Sequence, residues 1–329
     1  MPSKIEWTEE TWNPVTGCTK VSPGCDNCYA ERMAKRLKGM GVKGYENGFE
    51  VTCHPDRLEA PLHWRKPRVV FVCSMGDLFH EDVPFEFIDQ VYAVMALSPQ
   101  HTFLVLTKRA ERMAEYCVEL SAHKRSLCGA ATVMADSVVG GMIVATRLKE
   151  GQLTNVWHGV TAEDQQRADM RIPRLLEVPG KRFLSFEPMV GPINLNHQYF
   201  HEGVTCDWCG GFTGDKGHDC YEPGPGYHAV ILGGESGPGA RPMHPGWARS
   251  VRDQCADDGV PFFFKQWGEY VHFMQQSEQL YGREKATVQT WQRREHTIDG
   301  EKYLKVGKRL AGRLLDGCEH NDLPWGGDA

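Results

Sequence analysis

Short apolar runs recur along the chain, and segments with a helical period separate them. The runs predict buried strands at residues 68–73, 102–106, 156–160, 182–186, 228–232 and 261–264, and the segments between them predict helices at 85–97, 108–120, 164–176 and 246–257. Continuous apolar runs are typical of a parallel sheet that helices cover. Because strands and helices alternate, we expect right-handed parallel crossovers, and the pattern predicts an α/β barrel or partial barrel.

Two regions interrupt this alternation. Residues 121–155 are predicted to form an insertion or a long crossover, and residues 192–227, rich in Gly, Asp, His and Cys, an inserted loop. From residue 270 to residue 301 the chain is polar and has little apolar periodicity. We therefore expect a barrel over residues 1–269 and a C-terminal extension over residues 270–329 that packs on it.

Polar and glycine residues follow the predicted strands, at the end where the chain leaves the sheet. In barrels of alternating strands and helices, functional residues gather at this end. The candidates are Ser74, Gly76, Asp77, Lys108, Arg109, Glu163, Glu187, Gly233, Gly234, Glu235 and Lys265. Any one of them is equally typical of a turn or a helix cap, but their recurrence after six strands favours a shared site.

The overall composition narrows the function classes. The 329 residues carry a formal net charge of −6, whereas proteins that bind polyanions over a wide surface are usually basic. Contact with nucleic acid would therefore need a local basic stripe. No stretch is long and apolar enough to span a bilayer, and the acidic N-terminal segment lacks the apolar core of a signal peptide. The sequence predicts a cytoplasmic protein that does not enter a membrane.

Twelve cysteines in a chain expected to be cytoplasmic indicate metal binding or chemistry rather than disulfide bonds. Cys18, Cys25 and Cys28 lie on a Gly- and Pro-rich loop with C-x6-C-x2-C spacing, where a first strand would end and before a helix expected at about 28–38. Three thiolates on one loop can hold three irons of a cubane and leave the fourth iron open. The alternative is a zinc ion with a fourth ligand from Cys53 or His54.

A second cysteine group follows in the inserted loop. Cys206 and Cys209 form a C-x2-C pair, and His218 and Cys220 come shortly after it. These four side chains predict a structural Zn²⁺ site. The alternatives are a loop that binds no metal, an auxiliary iron–sulfur cluster and a redox-active pair of Cys206 and Cys209.

The first cysteine group resembles the signature of radical SAM enzymes. That signature is more often C-x3-C-x2-C with an aromatic residue before the last cysteine, whereas here the first gap is longer and Asn27 occupies the aromatic position. The segment from Trp12 to Glu31 also resembles a family of phage and prophage proteins of unknown function that share a three-cysteine motif. The similarity continues through residues 74–80, 106–109, 185–189, 233–241 and 264–268, and so spans nearly the whole chain.

The resemblance implies a partial (β/α)6 barrel of the TIM-like, radical SAM type. It further implies a [4Fe–4S] cluster on Cys18, Cys25 and Cys28, with S-adenosylmethionine bound at the open iron and cleaved reductively to a 5′-deoxyadenosyl radical. An electron donor such as flavodoxin or ferredoxin would then be a partner.

Under this resemblance, several strand-end residues would hold the methionine part of S-adenosylmethionine. Asp77 is the candidate acceptor for its ammonium group. Lys108 and Arg109 are the candidates for its carboxylate, which an arginine can bind at two points. Ser74, Gly76 and Lys265 belong to the same predicted cofactor-binding set.

Other strand-end residues would face the adenosine or the substrate. Glu163 and Glu187 are candidates for the ribose hydroxyls or the substrate, and the Gly233-Gly234-Glu235 segment would let the adenine lie against the backbone. The candidate catalytic residues are Asp77, His80 and Glu187.

The substrate is less well defined by the sequence. Basic residues between positions 32 and 43, together with Trp12, Trp64 and Trp267, would suit contact with a base, although such basic residues are equally typical of solvated helix faces. A phage setting favours DNA or a nucleotide, with a base or a nucleic-acid-linked group that is modified, rearranged or repaired. A peptide or a small metabolite is the alternative substrate.

Two further function classes stay open at this stage. One is a non-catalytic zinc or iron–sulfur protein that binds nucleic acid or a protein partner. The other is a barrel hydrolase that uses Asp77, His80 and Glu187 without iron.

Overall fold

The computed structural model describes residues 5–122, 127–134, 153–195, 226–273, 295–298 and 300–325. Its strands are β1 (Glu10–Trp12), β2 (Val15–Thr16), β3 (Thr52–Cys53), β4 (Val69–Val72), β5 (Thr102–Thr107), β6 (Val156–Thr161), β7 (Lys181–Phe186), β8 (Val230–Gly233), β9 (Phe262–Gln266), β10 (Tyr270–His272), β11 (Glu295–Ile298) and β12 (Glu301–Lys305). Its helices are α1 (Tyr29–Gly39), α2 (Phe85–Leu97), α3 (Ala110–Ser121), α4 (Cys128–Met134), α5 (Gln165–Leu176), α6 (Pro245–Asp257) and α7 (Lys308–Ala311).

A parallel sheet of seven strands dominates the described residues. Its strand order is β1-β4-β5-β6-β7-β8-β9, and every neighbouring pair is parallel. The sheet curls into a half-barrel, as parallel strands joined by helical crossovers do when each strand adds next to the previous one. The predicted α/β class and the six predicted strands are therefore confirmed.

The edge strand β1 is the first strand expected before the cysteine loop, although no apolar run gave its bounds. It has three residues, and only Trp12 is apolar. Glu10 is nevertheless buried, because its carboxylate pairs with Arg68 at the start of β4. Such a short strand gives no apolar run that could predict it.

The two faces of the half-barrel are packed differently. One face carries Val72, Phe103 and Leu184, which form the main core with residues of the helices. The other face, which the helices leave free, carries Leu104, Trp157, Phe183, Ile231 and Phe263. Trp7 and Trp325 cover part of this helix-free face, with ring centroids 4.8 Å from Phe71 and 4.9 Å from Trp157.

Two of the helices begin at a residue whose side chain caps them. Asp164 directly follows the end region of β6 and accepts a hydrogen bond of 3.0 Å from the backbone N–H of Arg167, which satisfies one free donor at the start of α5. His244 does the same for α6, which opens with Pro245. Short loops of this kind place the strand-end residues directly above the sheet.

Two small sheets lie beside the half-barrel. The strands β2 and β3 form an antiparallel ribbon, and β10, β12 and β11 form an antiparallel sheet of three strands. Within the described ranges, no helix is long and apolar enough to cross a membrane.

The predicted insertions lie largely outside the described residues. In the region 121–155, α4 packs against α2. In the predicted C-terminal extension, Leu314 accepts a hydrogen bond of 2.8 Å from the indole N–H of Trp267, and Trp325 lies on the helix-free face. The described part of the C-terminal segment thus contacts the half-barrel on both sides of β9.

Candidate functional site

A cavity lies on the helix-free face at the carboxyl ends of the strands. We call it the inner cavity; its volume is about 310 Å³. Its lining includes twelve of the residues that the sequence predicted for the site: Cys18, Cys25, Cys28, Ser74, Gly76, Asp77, Lys108, Arg109, Glu187, Gly234, Glu235 and Lys265. His80, Glu163 and Gly233 do not line it, although each contacts a residue that does or a residue of the loop above it.

The three-cysteine loop, residues 18–28, forms one wall of this cavity. Its three cysteines are free thiols and are half-buried, and Cys28 is the residue directly before α1. A second cavity of about 640 Å³, the outer cavity, is lined by the same three cysteines together with Thr19, Glu31 and Asp82. The thiols therefore lie between a cavity inside the half-barrel and one outside it.

The spacing of the three sulfurs differs from that of a single-ion site. Ligands of a tetrahedral zinc ion at about 2.3 Å would place the sulfurs about 3.8 Å apart. The three cysteines do not form a group with all ligand atoms within 4.8 Å of one another. Cys53 and His54, the proposed fourth zinc ligands, line neither cavity, and His54 Nε2 is 2.7 Å from Thr16 Oγ1. The iron–sulfur cluster and the zinc alternative both stay predictions.

An ion pair after β4 and β5 holds the start of the loop. Arg109 Nη1 donates to Asp77 Oδ2 and to Cys18 Sγ, both at 3.2 Å. Arg109 Nη2 donates to Thr19 Oγ1 at 2.8 Å, and Nε donates to both oxygens of Glu81 at 3.0 Å. The guanidinium is thus engaged on all sides by the chain itself.

Asp77 is engaged to the same degree. Its Oδ1 accepts from Thr107 Oγ1 at 2.7 Å and from the backbone N–H of Phe79 at 3.0 Å, in addition to the bond from Arg109. The buried arginine has a pKa above its ordinary value: burial alone would lower it, but the negative charge of Asp77 raises it. The thiol of Cys18 has a pKa raised to about 11, first by burial and then by Asp77.

A second ion pair, after β6, holds the middle of the loop. Glu163 is fully buried, and its two oxygens accept from the backbone N–H of Gly24 at 3.2 Å and from Arg171 Nη1 at 2.9 Å. Burial alone would raise the pKa of Glu163, but the hydrogen bond from Ser22 and the charge of Arg171 lower it below its ordinary value. Glu163 therefore fixes the turn that carries Cys25.

A third ion pair, after β8, holds the same turn from the opposite side. Arg241 donates to both oxygens of Glu235 at 2.8 and 2.9 Å, and its Nη2 also donates to the carbonyl oxygen of Pro23 at 2.8 Å. Asn27 Nδ2 donates to the carbonyl oxygen of Gly239 at 2.8 Å in the same region. Three strand-end ion pairs, Asp77–Arg109, Glu163–Arg171 and Glu235–Arg241, thus contact the three-cysteine loop.

Two of the predicted glycines allow two segments of the backbone to approach each other closely. A side-chain carbon at Gly76 would lie 3.0 Å from the carbonyl oxygen of Gly17, and one at Gly234 would collide with the carbonyl oxygen of Trp267. Ser74 Oγ donates to Asn13 Oδ1 at 3.2 Å. The predicted contacts of these residues with S-adenosylmethionine stay a prediction.

The proposed hydrolase residues are not assembled as an acid–base group. His80 is buried, its Nε2 is 2.8 Å from Thr19 Oγ1, and its Nδ1 accepts from the backbone N–H of Asp82 at 3.1 Å. Asp77 accepts from Thr107 and Arg109, and Glu187 pairs with Lys265. Each of these three predicted residues therefore has a different set of partners.

The expected base-stacking role is wrong for two of the three tryptophans. Trp12 is 2% exposed and Trp267 is 1% exposed, so neither ring has a free face. The indole N–H of Trp12 donates to the carbonyl oxygen of Arg57 at 2.8 Å. The apolar character that made them stacking candidates also makes them core residues.

Sequence reasoning missed Trp7 and Ser185, which also line the inner cavity. Trp7 Nε1, Ser185 Oγ and Glu187 Oε1 are buried and have no hydrogen-bond partner among the described residues. The sequence offers one sign for Ser185: it is the polar residue in the otherwise apolar end of β7. No pattern around Trp7 indicates its place, because it reaches the sheet from a segment that precedes β1.

One group of potential metal ligands lies elsewhere. The ligand atoms of His244, His272 and Glu301 are all within 4.8 Å of one another, and none of these residues lines the inner or the outer cavity. His272 Nε2 is 3.1 Å from Glu301 Oε2, and His244 Nδ1 accepts from the backbone N–H of Gly246 at 3.0 Å. One hydrogen bond thus connects β10 to β12 and the other caps α6, and the ring centroids of His244 and His272 lie 5.5 Å apart.

The predicted zinc ligands Cys206, Cys209, His218 and Cys220 lie outside the described residues. The zinc site and its alternatives in this loop stay predictions.

Comparison with known proteins identifies a family but does not identify an activity. A family model described as a protein of unknown function (DUF5131) matches residues 2–324. No curated protein and no solved structure matches the chain. The family match spans the three-cysteine loop, the strand ends that hold it and the C-terminal segment.

Proposed function

The chain belongs to the DUF5131 family, described as proteins of unknown function, and we propose from its site that it is a radical SAM enzyme. In this proposal Cys18, Cys25 and Cys28 hold a [4Fe–4S] cluster, and the inner cavity binds S-adenosylmethionine and the substrate. The observation that carries the proposal is the position of the three free thiols: they form one wall of a cavity at the carboxyl edge of a parallel half-barrel.

The donor set suits an iron–sulfur cluster. Three thiols on one loop leave one iron without a protein ligand, as the proposed chemistry needs. The thiol of Cys73 also lines the inner cavity, but it is 3% exposed and burial raises its pKa strongly, so it is disfavoured as a fourth thiolate. Burial raises the pKa of the Cys18 thiol to about 11, so in this proposal the positive charge of the bound iron stabilises its thiolate.

The strand-end ion pairs explain how the loop can be rigid without a metal. Arg109 donates to Cys18, Glu163 accepts from Gly24, and Arg241 donates to Pro23. Preorganised ligands lower the cost of ordering a site when a cofactor binds. In this proposal Asp77, Glu163 and Glu235 are therefore positioning residues and do not touch the substrate.

Other residues are placed to bind the cofactor and the substrate. Lys108 lines the inner cavity, and its ammonium has no ion-pair partner within the described ranges, so it is the better candidate than Arg109 for the carboxylate of S-adenosylmethionine. Glu187 and Lys265 pair on the cavity wall. Ile5, Trp7, Phe71 and Leu106 supply apolar surface beside them, which excludes water from reactive groups.

When bound, the cluster and S-adenosylmethionine supply a one-electron reduction that yields methionine and a 5′-deoxyadenosyl radical. The chain's own residues orient the two reactants and shield the cavity. For the substrate we propose a nucleobase or a nucleic-acid-linked group, supported by the aromatic and hydrogen-bonding wall of the cavity. A duplex base would have to be extruded to reach it.

Anaerobic purification tests the enzyme class. We expect about four irons and four sulfides per chain, and 5′-deoxyadenosine after addition of dithionite and S-adenosylmethionine. Cys18→Ala, Cys25→Ala and Cys28→Ala should each lose both properties. Cys318→Ala is the matched control, because Cys318 is an exposed free thiol that lines neither cavity.

Zinc without iron, and no deoxyadenosine, would contradict the radical SAM proposal and favour a metal-stabilised binding protein. Iron and sulfide without deoxyadenosine formation would favour a non-catalytic iron–sulfur protein.

A further inference from the structure

One strand forms a column of side chains on the wall of the inner cavity. Alternate residues of a strand point to the same face, so Phe183 and Ser185 of β7 both point to the helix-free face, and Glu187 continues the column just past the strand end. The ring of Phe183 lies 6.4 Å from that of Trp7 between centroids. Trp7 therefore stands at the foot of the column, Ser185 in the middle and Glu187 at the top.

Each of these levels presents a polar atom to the cavity. Trp7 Nε1, Ser185 Oγ and Glu187 Oε1 are buried without a hydrogen-bond partner among the described residues, and all three residues line the inner cavity. Trp7 is 3% exposed and Ser185 is fully buried. A buried polar atom without a partner is unfavourable, so a ligand that pairs these atoms would gain binding free energy from each of them.

The orientation of Glu187 is fixed from across the sheet. Lys265 on β9 pairs with Glu187 Oε2 across the intervening strand β8. The stems of both side chains pass close to Gly233 of β8. With Oε2 held by a lysine, Oε1 is the acceptor that Glu187 offers to a ligand.

The order of donors and acceptors defines the ligand. Trp7 can only donate, Glu187 Oε1 can only accept while ionised, and the hydroxyl of Ser185 can do either. A matching ligand has an acceptor at one end of its edge, a donor at the other end and either kind of group between them. Aromatic and aliphatic neighbours, Phe71 and Leu106, suit a flat ring.

We propose that this column binds the hydrogen-bonding edge of a base that carries both a ring carbonyl and an exocyclic amino group, namely cytosine or guanine. Trp7 donates to the carbonyl oxygen, Glu187 accepts from the amino group, and Ser185 pairs with the ring nitrogen between them. Cytosine needs Ser185 as a donor, and guanine needs it as an acceptor. The proposal rests on the proposed function for the reaction that follows binding, but the binding step needs no cluster.

Uracil and adenine each lack half of this edge. Uracil places a carbonyl oxygen where the amino group should be, against the carboxylate of Glu187, and adenine has no carbonyl for Trp7. A site built to pair a substrate donor discriminates strongly against an analogue without it, because its own buried groups stay unpaired. We therefore expect cytidine or guanosine to bind at least about tenfold more tightly than uridine and adenosine.

The test is calorimetric titration of the full chain with the four nucleosides cytidine, guanosine, uridine and adenosine. Ser185→Ala and Trp7→Phe should weaken the binding of the preferred nucleoside and reduce the difference in affinity between the nucleosides. Glu187→Gln should go further and move the preference towards uridine, because an amide can donate to a carbonyl. If Glu187 had only a structural role, Glu187→Gln would weaken the binding of all four nucleosides equally. Glu177→Gln, an exposed carboxylate in α5's C-terminal turn region, is the control.

Each outcome decides the proposal. Equal affinities for all four nucleosides, tighter binding of adenosine, or absence of binding would overturn it, and tighter adenosine would assign the column to the adenosyl group of the cofactor. Cys18→Ala separates this proposal from the radical SAM proposal: it should abolish deoxyadenosine formation and leave the nucleoside preference unchanged.

Discussion

Arg109 Nη1 lies 3.2 Å from Cys18 Sγ and 3.2 Å from Asp77 Oδ2. A buried cation thus connects a residue after β4 to the first cysteine of the three-cysteine loop. Because the guanidinium has no free donor left for a ligand, its role is to position Cys18 and to change the electrostatic environment of its sulfur.

Replacing this arginine should alter the electron affinity of a bound cluster. In Arg109→Lys the ammonium cannot reproduce the contacts to Cys18, Asp77 and Glu81 together. Hydrogen bonds to cluster sulfurs raise the reduction potential, so we expect a lower midpoint potential and a lower iron content. Arg112→Lys is the control, because Arg112 donates to the carbonyl oxygens of His80 and Val83 only. An unchanged midpoint potential in Arg109→Lys would contradict this role.

Loss of the second ion pair should destabilise the fold. Glu163→Gln leaves Arg171 as a buried cation without its counter-ion, which typically costs about 3–5 kcal/mol in the free energy of unfolding. Urea unfolding measures this free energy. Glu177→Gln removes a carboxylate from an exposed ion pair with Arg174 and should cost less than about 1 kcal/mol. Equal effects of the two substitutions would show that the Glu163–Arg171 pair does not stabilise the fold.

The reactivity of the metal-free cysteines should differ. The pKa of Cys18 is raised to about 11, mainly by burial, so little of it is thiolate at pH 8. We expect iodoacetamide to alkylate Cys18 much more slowly than the exposed Cys318, as measured by peptide mass spectrometry over time. Asp77→Asn removes a charge that raises the pKa of Cys18 and should speed its alkylation. Equal rates for Cys18 and Cys318 would contradict the burial argument.

Acid should weaken the fold through His158. This residue is buried, accepts or donates one hydrogen bond of 2.8 Å with Tyr92, and has a pKa lowered to about 4 by burial and by Arg182. The unfolded chain binds this proton near pH 6.5, the folded chain only near pH 4. The stability that depends on neutral His158 is therefore complete above about pH 6.5 and is lost as the pH falls towards 4, by about 3 kcal/mol in total.

Urea unfolding between pH 7.5 and pH 4.5 measures this dependence. His158→Gln should lower stability at neutral pH and flatten the slope between pH 6.5 and pH 4.5, since Gln does not titrate. His63→Gln, at an exposed position before β4, is the control and should leave the slope unchanged. A slope that persists in His158→Gln would assign the acid sensitivity to other groups.

The sequence predicted the elements with long apolar runs and missed those without them. The predicted helices at 85–97 and 246–257 agree with α2 and α6 within one residue. The edge strand β1 was expected before the cysteine loop but its bounds were not, because its pairing with Arg68 and β4, rather than apolar character, stabilises it. Strand ends could be located from such runs, so the edge of the sheet that carries the site was predictable.

The partners of the site residues were not predictable. Glu163 was expected to meet a ligand, yet it accepts from Gly24, which is 139 positions away in the chain. Pairing over such distances follows from the assembly of the strands into the half-barrel, and the local sequence pattern does not indicate it. Trp7 reached the cavity in the same way, from a segment that carries no strand or helix period.

The contacts of the three-cysteine loop also imply an order of maturation. The loop is held by Arg109, Glu163 and Arg241, which lie 91, 139 and 218 residues from their partners Cys18, Gly24 and Pro23. Until β8 and the residues that follow it have been synthesised, the nascent chain cannot form this set of contacts, even if its first 30 residues are already folded. The thiols therefore reach their final arrangement only once the sheet is nearly complete, and in the proposed enzyme the cluster would be inserted after that point.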